Sequence, residues 1–404
     1  MPLFVYVLSL AVFAQGTSEF MLAGLVPDIA HDLSISVSAA ASLTSAYAVG
    51  MVVGAPVTAA LSARWPRPRA LAGFLAAFVV VHVVGALTTD FAVLFGTRIA
   101  AAIVNAGFLS VAMSAATSLA APARQARATA VLLSGVTLSC VVGVPAGALL
   151  GDWYDWRAAF WAVAALCLPA LALVFRSAPA GSTRPHEISI KREVRVLKAR
   201  PVQVAMALAA VVNGATFATF AYLAVIATDV ARLPGEAVPG LLAAFGAGAF
   251  VGVTAAGRAA TRTSGHTGDG RLRHPLAPRP GLGLALWALP VGWAVLALVS
   301  AHPTTLFIGA AVQGGLSFGI GSTLVNRVMR VASNAPALSG SFATVALNTG
   351  AVLGPLLAGA ATGVTGDYRG AVWVSAGLAA TAVAAMAVGH LRTACGRESV
   401  REVR

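Results

Sequence analysis

Two charged residues, Glu19 and Arg98, stand inside stretches of sequence that are otherwise free of Asp, Glu, Lys and Arg. Ionisable residues are costly within a bilayer and are functional candidates wherever a membrane span contains them. At a rise of about 1.5 Å per helical residue, Glu19 lies roughly 12 Å and Arg98 roughly 10 Å below the same membrane surface. We therefore predict that they pair or communicate through water. The alternative is that both are helix-packing ions.

A single embedded carboxylate suits proton coupling, because a group held in a low-dielectric cavity can take up and release a proton as its surroundings change. No other acid lies well inside an apolar stretch. We interpret Glu19 as the principal proton-coupling group and Arg98 as a second candidate. His82, in another apolar stretch, is interpreted as a packed polar residue.

The elements that must position these residues are twelve apolar stretches, each about the length of a membrane span. The chain is 58% hydrophobic and only 10% charged, whereas a soluble domain carries about 25% charged residues. A helix needs about 20 apolar residues to cross a bilayer. The predicted spans are 4–27, 38–61, 70–89, 91–119, 126–150, 158–176, 201–228, 238–257, 281–301, 304–326, 338–362 and 370–391. The fold class is thus an all-α polytopic membrane protein.

The positive charges lie mainly in alternate loops. With the N-terminus in the cytoplasm, the cytoplasmic loops and tail hold 23 of the 27 lysines and arginines. This asymmetry predicts that both termini are cytoplasmic. It also explains the net charge of +13 without a nucleic-acid partner.

The sequence is interpreted as two halves built from one repeat. The most charged segment between spans, 177–200, separates an N-terminal six-helix bundle, 1–176, from a C-terminal bundle with a basic tail, 201–404. Six residues recur at one offset of 212 positions: Gly147, Gly151, Asp155, Arg157, Ala159 and Trp161 match Gly359, Gly363, Asp367, Arg369, Ala371 and Trp373. The alternative is chance in a Gly- and Ala-rich chain.

Glycine and proline residues cluster in helices 5 and 11, at corresponding places in the two halves. Gly143, Pro145 and Gly147 lie in helix 5, and Gly354 and Pro355 lie in helix 11. Such helices point to the moving interface of a transporter with repeated halves. The alternative is ordinary close packing of helices.

A substrate cavity between the halves needs apolar walls and a few polar groups. The candidates are aromatic and amide side chains within the predicted spans: Phe20, Tyr47, Asn105, Phe108, Asn213, Phe217, Phe220, Tyr222, Gln313 and Asn348. Asn105 follows Arg98 by seven residues, so the two share one face of a helix. A basic loop after helix 2, with Arg64, Arg67 and Arg69, is a candidate cytoplasmic gate.

Catalytic, metal-binding and nucleotide-binding motifs are not found in the sequence. We therefore predict no enzyme activity, no metal and no cofactor. The three cysteines have no disulfide or metal-ligand spacing.

These features together resemble the major facilitator superfamily, in its group of 12-span drug:proton antiporters. The resemblance rests on GTSEFMLAGLVPDIA in helix 1, SAYAVGMVVGAP in helix 2, SARWPRPRAL after it, Arg98, GVPAGALLG in helix 5 and DWRAAFW at helix 6. It extends to the actinomycete chloramphenicol exporters. The loop after helix 2 departs from the family pattern, because Ala63 stands where an Asp is usual and Pro66 where a Gly is usual.

The resemblance implies a monomeric exporter in the bacterial inner membrane, driven by protons and acting by alternating access. The substrate it implies is a small apolar or aromatic drug, with chloramphenicol or related phenicols first. An exporter of sugars or of another endogenous metabolite is the alternative. A membrane-embedded enzyme or a sensor is disfavoured, because paired catalytic residues and a soluble domain are not found.

Overall fold

The computed structural model describes residues 3–62, 65–119, 125–177, 195–264, 280–335 and 339–401, and these ranges form helices joined by short turns. The first six helical segments are α1 (Leu3–Phe20 and Leu22–Asp32), α2 (Val37–Ser62), α3 (Arg67–Leu87), α4 (Phe91–Leu119), α5 (Gln125–Leu138, Ser139–Gly143 and Val144–Trp153) and α6 (Trp156–Ser177). The last six are α7 (Arg200–Phe220, Leu223–Val225 and Ile226–Val230), α8 (Val238–Ser264), α9 (Pro280–Val299), α10 (Pro303–Val331), α11 (Ser339–Thr365) and α12 (Arg369–Arg401).

Each of the twelve predicted spans falls on one of these segments. Ten helices within the described ranges are long and apolar enough to cross a membrane, and α1 is an eleventh if its two pieces count as one span. The apolar part found in α9, Leu286–Val299, is shorter. Most of the predicted linker 177–200 lies outside the described residues, so the division into two domains stays a prediction.

Two helices predicted to be continuous are interrupted. The pieces of α1 meet at Met21 with a bend of 49°. In α7 the first piece ends at Phe220, and the Tyr222 N–H then bonds the Thr219 carbonyl at 3.0 Å in a tighter turn. A proline marks neither break, so the sequence gives no signal of an interruption within the predicted spans 4–27 and 201–228.

Apolar residues surround these helices rather than forming one stripe, as expected of membrane spans. On α9, one outward face carries Trp287, Val291, Val295 and Leu298, each more than half exposed. Lipid is the medium in which such a face is stable, since water would penalise it. The surface of the bundle therefore fits a bilayer.

Glycines allow close packing within each half. In the first half, a side chain at Gly143 of α5 would collide with Thr17 of α1. In the second half, a side chain at Gly354 of α11 would collide with Gly214 of α7. In the same way α2 packs on α4, and α8 packs on α10. The packing therefore repeats between the halves, and these glycines face a neighbour in their own half.

The two ends of the bundle differ in charge. We call the end that carries Asp32, Asp155 and Asp367 the acidic end. The opposite end carries Arg67 and Arg69 at the start of α3, and we call it the basic end. An ion pair ties the acidic end of the first half together, because Arg157 Nη1 lies 2.7 Å from Asp32 Oδ2.

The halves meet between α2 and α11, and also between α5 and α8, at the middle of the bundle and at the acidic end. The Ser45 hydroxyl donates to the Val352 carbonyl at 2.9 Å. Nearer the acidic end, Ser38 abuts Gly359. Toward the basic end, Gln125–Leu138 of α5 packs on α1 and α4 of its own half. The named contacts thus close the acidic end of the space between the halves.

Candidate functional site

Glu19 and Arg98 lie close together but do not form an ion pair within the described part of the chain. Arg98 is only 1% exposed, whereas Glu19 is partly exposed. Arg98 donates from Nη1 to the Ser18 hydroxyl at 2.9 Å and from Nη2 to the Ser18 carbonyl at 2.5 Å. The carboxylate beside it therefore has no cation bonded to it.

The bend in α1 explains why the Ser18 carbonyl is available to Arg98. At the bend, the Met21 N–H still bonds the Thr17 carbonyl at 2.8 Å, but the Gly24 N–H bonds Met21 at 3.0 Å, in an i to i−3 pattern. Carbonyls at the end of a helical piece need other donors. The guanidinium of Arg98 is such a donor for Ser18.

His82 of α3 completes a buried chain of hydrogen bonds. Its Nδ1 lies 2.8 Å from the Phe78 carbonyl, and its Nε2 lies 2.6 Å from the Ser18 hydroxyl. A carbonyl only accepts, so Nδ1 carries the hydrogen, and in the neutral ring Nε2 accepts from Ser18. The chain runs from Arg98 through Ser18 and His82 to Phe78.

Two further predicted residues join Arg98. Its guanidinium carbon lies 4.6 Å from the centre of the Tyr47 ring and 5.7 Å from that of Phe160. The Asn105 amide donates to the Tyr47 hydroxyl at 2.8 Å. Arg98 and Asn105 therefore share one face of α4, on which Tyr47 of α2 packs.

Next to this group lies an aromatic cluster that joins the two halves. Phe20, which follows Glu19 in α1, has its ring centre 6.2 Å from Phe217 and 6.4 Å from Phe220, both in α7. Phe220 lies 5.0 Å from Phe245 of α8, which lies 6.1 Å from Phe318 of α10. We call these five residues the phenylalanine cluster. The sequence reasoning missed Phe245 and Phe318, because helical spacing does not distinguish them from other apolar residues of their spans.

The remaining amide candidates are engaged in contacts within the protein. Asn213 donates to the Leu347 carbonyl at 2.8 Å, and Asn348 donates to Thr344 of its own helix at 3.0 Å. Gln313 donates to the Leu289 carbonyl at 3.1 Å, between α10 and α9. These three side chains hold helices rather than joining Glu19 and Arg98.

Two aromatic candidates also lie apart from that group. Phe108 is fully buried in α4. Tyr222 lies beyond the break in α7, near Gly359 and with its ring centre 6.4 Å from that of Tyr368. Tyr222 therefore belongs to the acidic end.

The glycine and proline residues of α5 surround a π-helical stretch, Ser139–Gly143. There the Val144 N–H bonds the Ser139 carbonyl, and Pro145 follows without an N–H of its own. Single π turns within α-helices often mark functional sites. Gly147 abuts Met21 at the bend of α1, so this part of α5 lies against the break.

One polar residue missed by the sequence reasoning lies one helical turn before Glu19. Gln15 is 1% exposed, and neither amide atom has a hydrogen-bond partner among the described residues. A buried unpaired amide costs about 1–3 kcal/mol. Its position on α1 follows the i, i+4 spacing to Glu19, which is the signal that identifies it.

The structure describes only part of the basic loop after α2. Arg64 lies outside the described residues, and Arg67 and Arg69 begin α3. The described residues contain no group of His, Cys, Asp and Glu that could hold a metal ion.

This fold and site define a class of protein. A helical bundle with a lipid-compatible surface, an unpaired carboxylate and an aromatic cluster between two similarly packed halves is the arrangement of a multi-pass membrane transporter.

The comparisons with known proteins identify the family. The model of the Major Facilitator Superfamily matches residues 8–272. The chain is 48% identical over 386 residues to the chloramphenicol resistance protein of Streptomyces lividans, covering 95% of each. It is 32% identical over 355 residues to the inner membrane transport protein YdhP of Escherichia coli K12, covering 87% of each. A chloramphenicol efflux pump of Mycobacterium tuberculosis is 29% identical over 369 residues, covering 87% of this chain and 84% of that one.

Solved structures share the fold. A variant of the nucleoside transporter NupG has a TM-score of 0.75 at 11% identity, covering 96% of this chain and 98% of that one. A bacterial homolog of the human lysosomal transporter Spinster has a TM-score of 0.68 at 17% identity, covering 95% of this chain and 93% of that one. This chain belongs to the major facilitator superfamily, and it is a multi-pass membrane transporter. The predicted fold class and family resemblance are confirmed.

Proposed function

We propose that this protein is a proton-coupled antiporter that exports chloramphenicol or related phenicols by alternating access. The substrate class comes from the relatives, two of which are named for chloramphenicol. The observation that carries the mechanism is Glu19, a partly exposed carboxylate without a bonded cation beside the phenylalanine cluster. Membership in a transporter family also favours transport over catalysis.

The phenylalanine cluster supplies the apolar surface that an aromatic drug requires. Aromatic rings prefer edge-to-face or offset contacts with centres about 4.5–7 Å apart, and the rings of Phe217 and Phe220 lie 5.8 Å apart at 72°. A substrate ring can replace one such contact with another. Since the cluster contains residues of both halves, the contacts of a drug bound there change when the halves move relative to each other.

A sugar or another polar metabolite fits this site less well. Hydroxyl-rich substrates need several free hydrogen-bonding side chains. The amides of Asn105 and Asn213 are already bonded within the protein. Sugar export is therefore the second candidate, and a finding that the protein exports no drug would favour it.

The charge distribution supports an orientation with the basic end in the cytoplasm. Arg67 and Arg69 lie at that end, and Asp32 and Asp367 lie at the other. By the positive-inside rule, both termini are cytoplasmic. We place the chain in the bacterial inner (plasma) membrane because its relative YdhP is named an inner membrane transport protein. Residues of one chain supply the whole site, so we propose that a monomer is sufficient.

Expression in a drug-sensitive bacterial host tests the proposed function. Cells that make the protein are expected to survive higher chloramphenicol concentrations and to accumulate less labelled drug than cells without it. A protonophore should restore accumulation, because it removes the proton gradient. Drug accumulation that is unchanged by the protein, with altered growth on sugars, would contradict the proposal.

Replacing Phe217 by leucine is expected to weaken drug binding to the purified protein by about threefold to tenfold, since one aromatic contact contributes about 0.5–1.5 kcal/mol. Leucine keeps the site apolar but removes the ring. The matched control is Phe91→Leu in α4, whose ring contacts Phe95 outside the cluster. Equal affinities of the two variants in a tryptophan-fluorescence titration would place the drug elsewhere.

A further inference from the structure

The buried cation of Arg98 is bonded to Ser18 twice and to Glu19 not at all. Ser18 is 0% exposed and His82 is 1% exposed, so this contact is shielded from water. The titratable groups near Glu19 are Arg98 of α4, Tyr47 of α2 and Cys140 of α5. A movement of the guanidinium from Ser18 to Glu19 is therefore the shortest route to an ion pair inside the first half.

The order of hydrogen bonds identifies what prevents that movement. Ser18 has one hydrogen to donate, and Arg98 has only hydrogens to donate. Because His82 Nδ1 donates to Phe78, its Nε2 accepts the Ser18 hydrogen. The Ser18 oxygen then presents a lone pair to Arg98 Nη1. Without an acceptor at His82, the serine hydroxyl is free to turn and bond its own helix backbone instead.

The second bond links the same chain to the shape of α1. Arg98 Nη2 bonds the Ser18 carbonyl, three residues before the bend at Met21. The guanidinium therefore stabilises the bent form of the helix that carries Glu19. Of the two bonds, the one from Nη1 depends on the serine hydroxyl, and the orientation of that hydroxyl depends on the imidazole.

We propose that His82 is a positioning residue for proton coupling: acting through Ser18, it holds Arg98 at the bend of α1 and leaves the Glu19 carboxylate unpaired. This inference rests on the proposed proton-coupled function and deepens it. An unpaired carboxylate can be neutralised by a proton, whereas one paired with a guanidinium stays charged. His82 thereby keeps Glu19 able to take up and release a proton.

The decisive variants change the acceptor at position 82. His82→Phe keeps a ring against Phe78, whose ring centre lies 4.1 Å from the imidazole, but it removes both nitrogens. His82→Gln retains an amide oxygen that can accept from Ser18. Ser18→Ala removes the hydroxyl itself. His31→Gln, at an exposed histidine of α1, is the control.

The measurement is the proton release that chloramphenicol binding causes in purified protein, recorded as a function of pH. In His82→Phe and in Ser18→Ala, the midpoint of this release is expected to fall by about one pH unit or more, because a cation paired with the carboxylate favours its charged form. The double variant should shift no further than either single variant, since both changes break one chain. His82→Gln should restore most of the wild-type profile, and His31→Gln should match it.

Thermal unfolding of each variant distinguishes this role from simple packing. A folded His82→Phe protein with a wild-type midpoint overturns the inference, and so does lost transport with an unshifted midpoint. If His82→Phe does not fold, Ser18→Ala carries the same expected shift. A wild-type protein that releases no proton on drug binding contradicts the proposed function itself, a result separate from any difference between variants.

Discussion

Replacing Glu19 by glutamine is expected to reduce protonophore-sensitive chloramphenicol efflux to the background of cells that lack the protein. Glutamine has nearly the shape of a protonated glutamate but cannot release a proton. The variant therefore resembles one protonation state at all pH values. A transporter that exchanges drug for proton needs both states in each cycle.

Binding and transport should separate in this variant. The phenylalanine cluster remains intact, so Glu19→Gln is expected to bind chloramphenicol. Its affinity should not change with pH, because coupling between two ligands is reciprocal and one of them has lost its site. Proton release on drug binding should disappear.

The matched control is Glu236→Gln, which makes the same chemical change at an exposed position in the turn before α8. It should transport like the wild type. Membrane abundance of both variants is measured by quantitative immunoblot of a C-terminal tag. Full efflux by Glu19→Gln at wild-type abundance would remove Glu19 from the coupling mechanism and would return it to a packing role.

The helices could be predicted from the sequence because membrane spans require long uncharged stretches, and this requirement is local. The turn predicted near Ser300 and His302 does separate α9 from α10. The bend at Met21 and the tight turn at Tyr222 could not be predicted, since no proline marks either place. The sequence predicts Tyr222 as a cavity residue because it is an aromatic side chain within a span, and the structure places it at the acidic end.

The sequence identifies which residues form the site more easily than it identifies the hydrogen bonds between them. Glu19 and Arg98 stand out as charges in apolar stretches, and similar depths place them near each other. Their separation by Ser18 depends on the rotation of α1 against α3 and α4, about which spacing says little. The sequence predicts His82 as a packed polar residue for the same reason, because only the structure shows that both of its nitrogens are hydrogen-bonded.

A reversible crosslink across the acidic end is expected to abolish transport. A Cβ atom built at Gly359 of α11 lies 3.5 Å from the Cβ of Ser38 of α2, and disulfides join Cβ atoms about 3.5–4.5 Å apart. The double variant Ser38→Cys, Gly359→Cys should therefore form a disulfide on mild oxidation. The two residues belong to different halves, so the bond prevents their separation at this end.

Alternating access requires that separation once in every cycle. Oxidised protein should bind drug from the basic end but should transport none in proteoliposomes, and a reducing agent should restore transport. The Tyr222 hydroxyl lies 2.8 Å from the same Cβ position, so Gly359→Cys alone is expected to disturb packing there. The transport activity of this single variant shows how much of any loss comes from that disturbance. The native Cys140, Cys167 and Cys395 are present in every variant. Because each variant with only one of the two introduced cysteines experiences the oxidant without the crosslink, loss of transport confined to the double variant isolates the effect of closure. Full transport by protein whose disulfide is verified by mass spectrometry would mean that the acidic end does not open through α2 and α11.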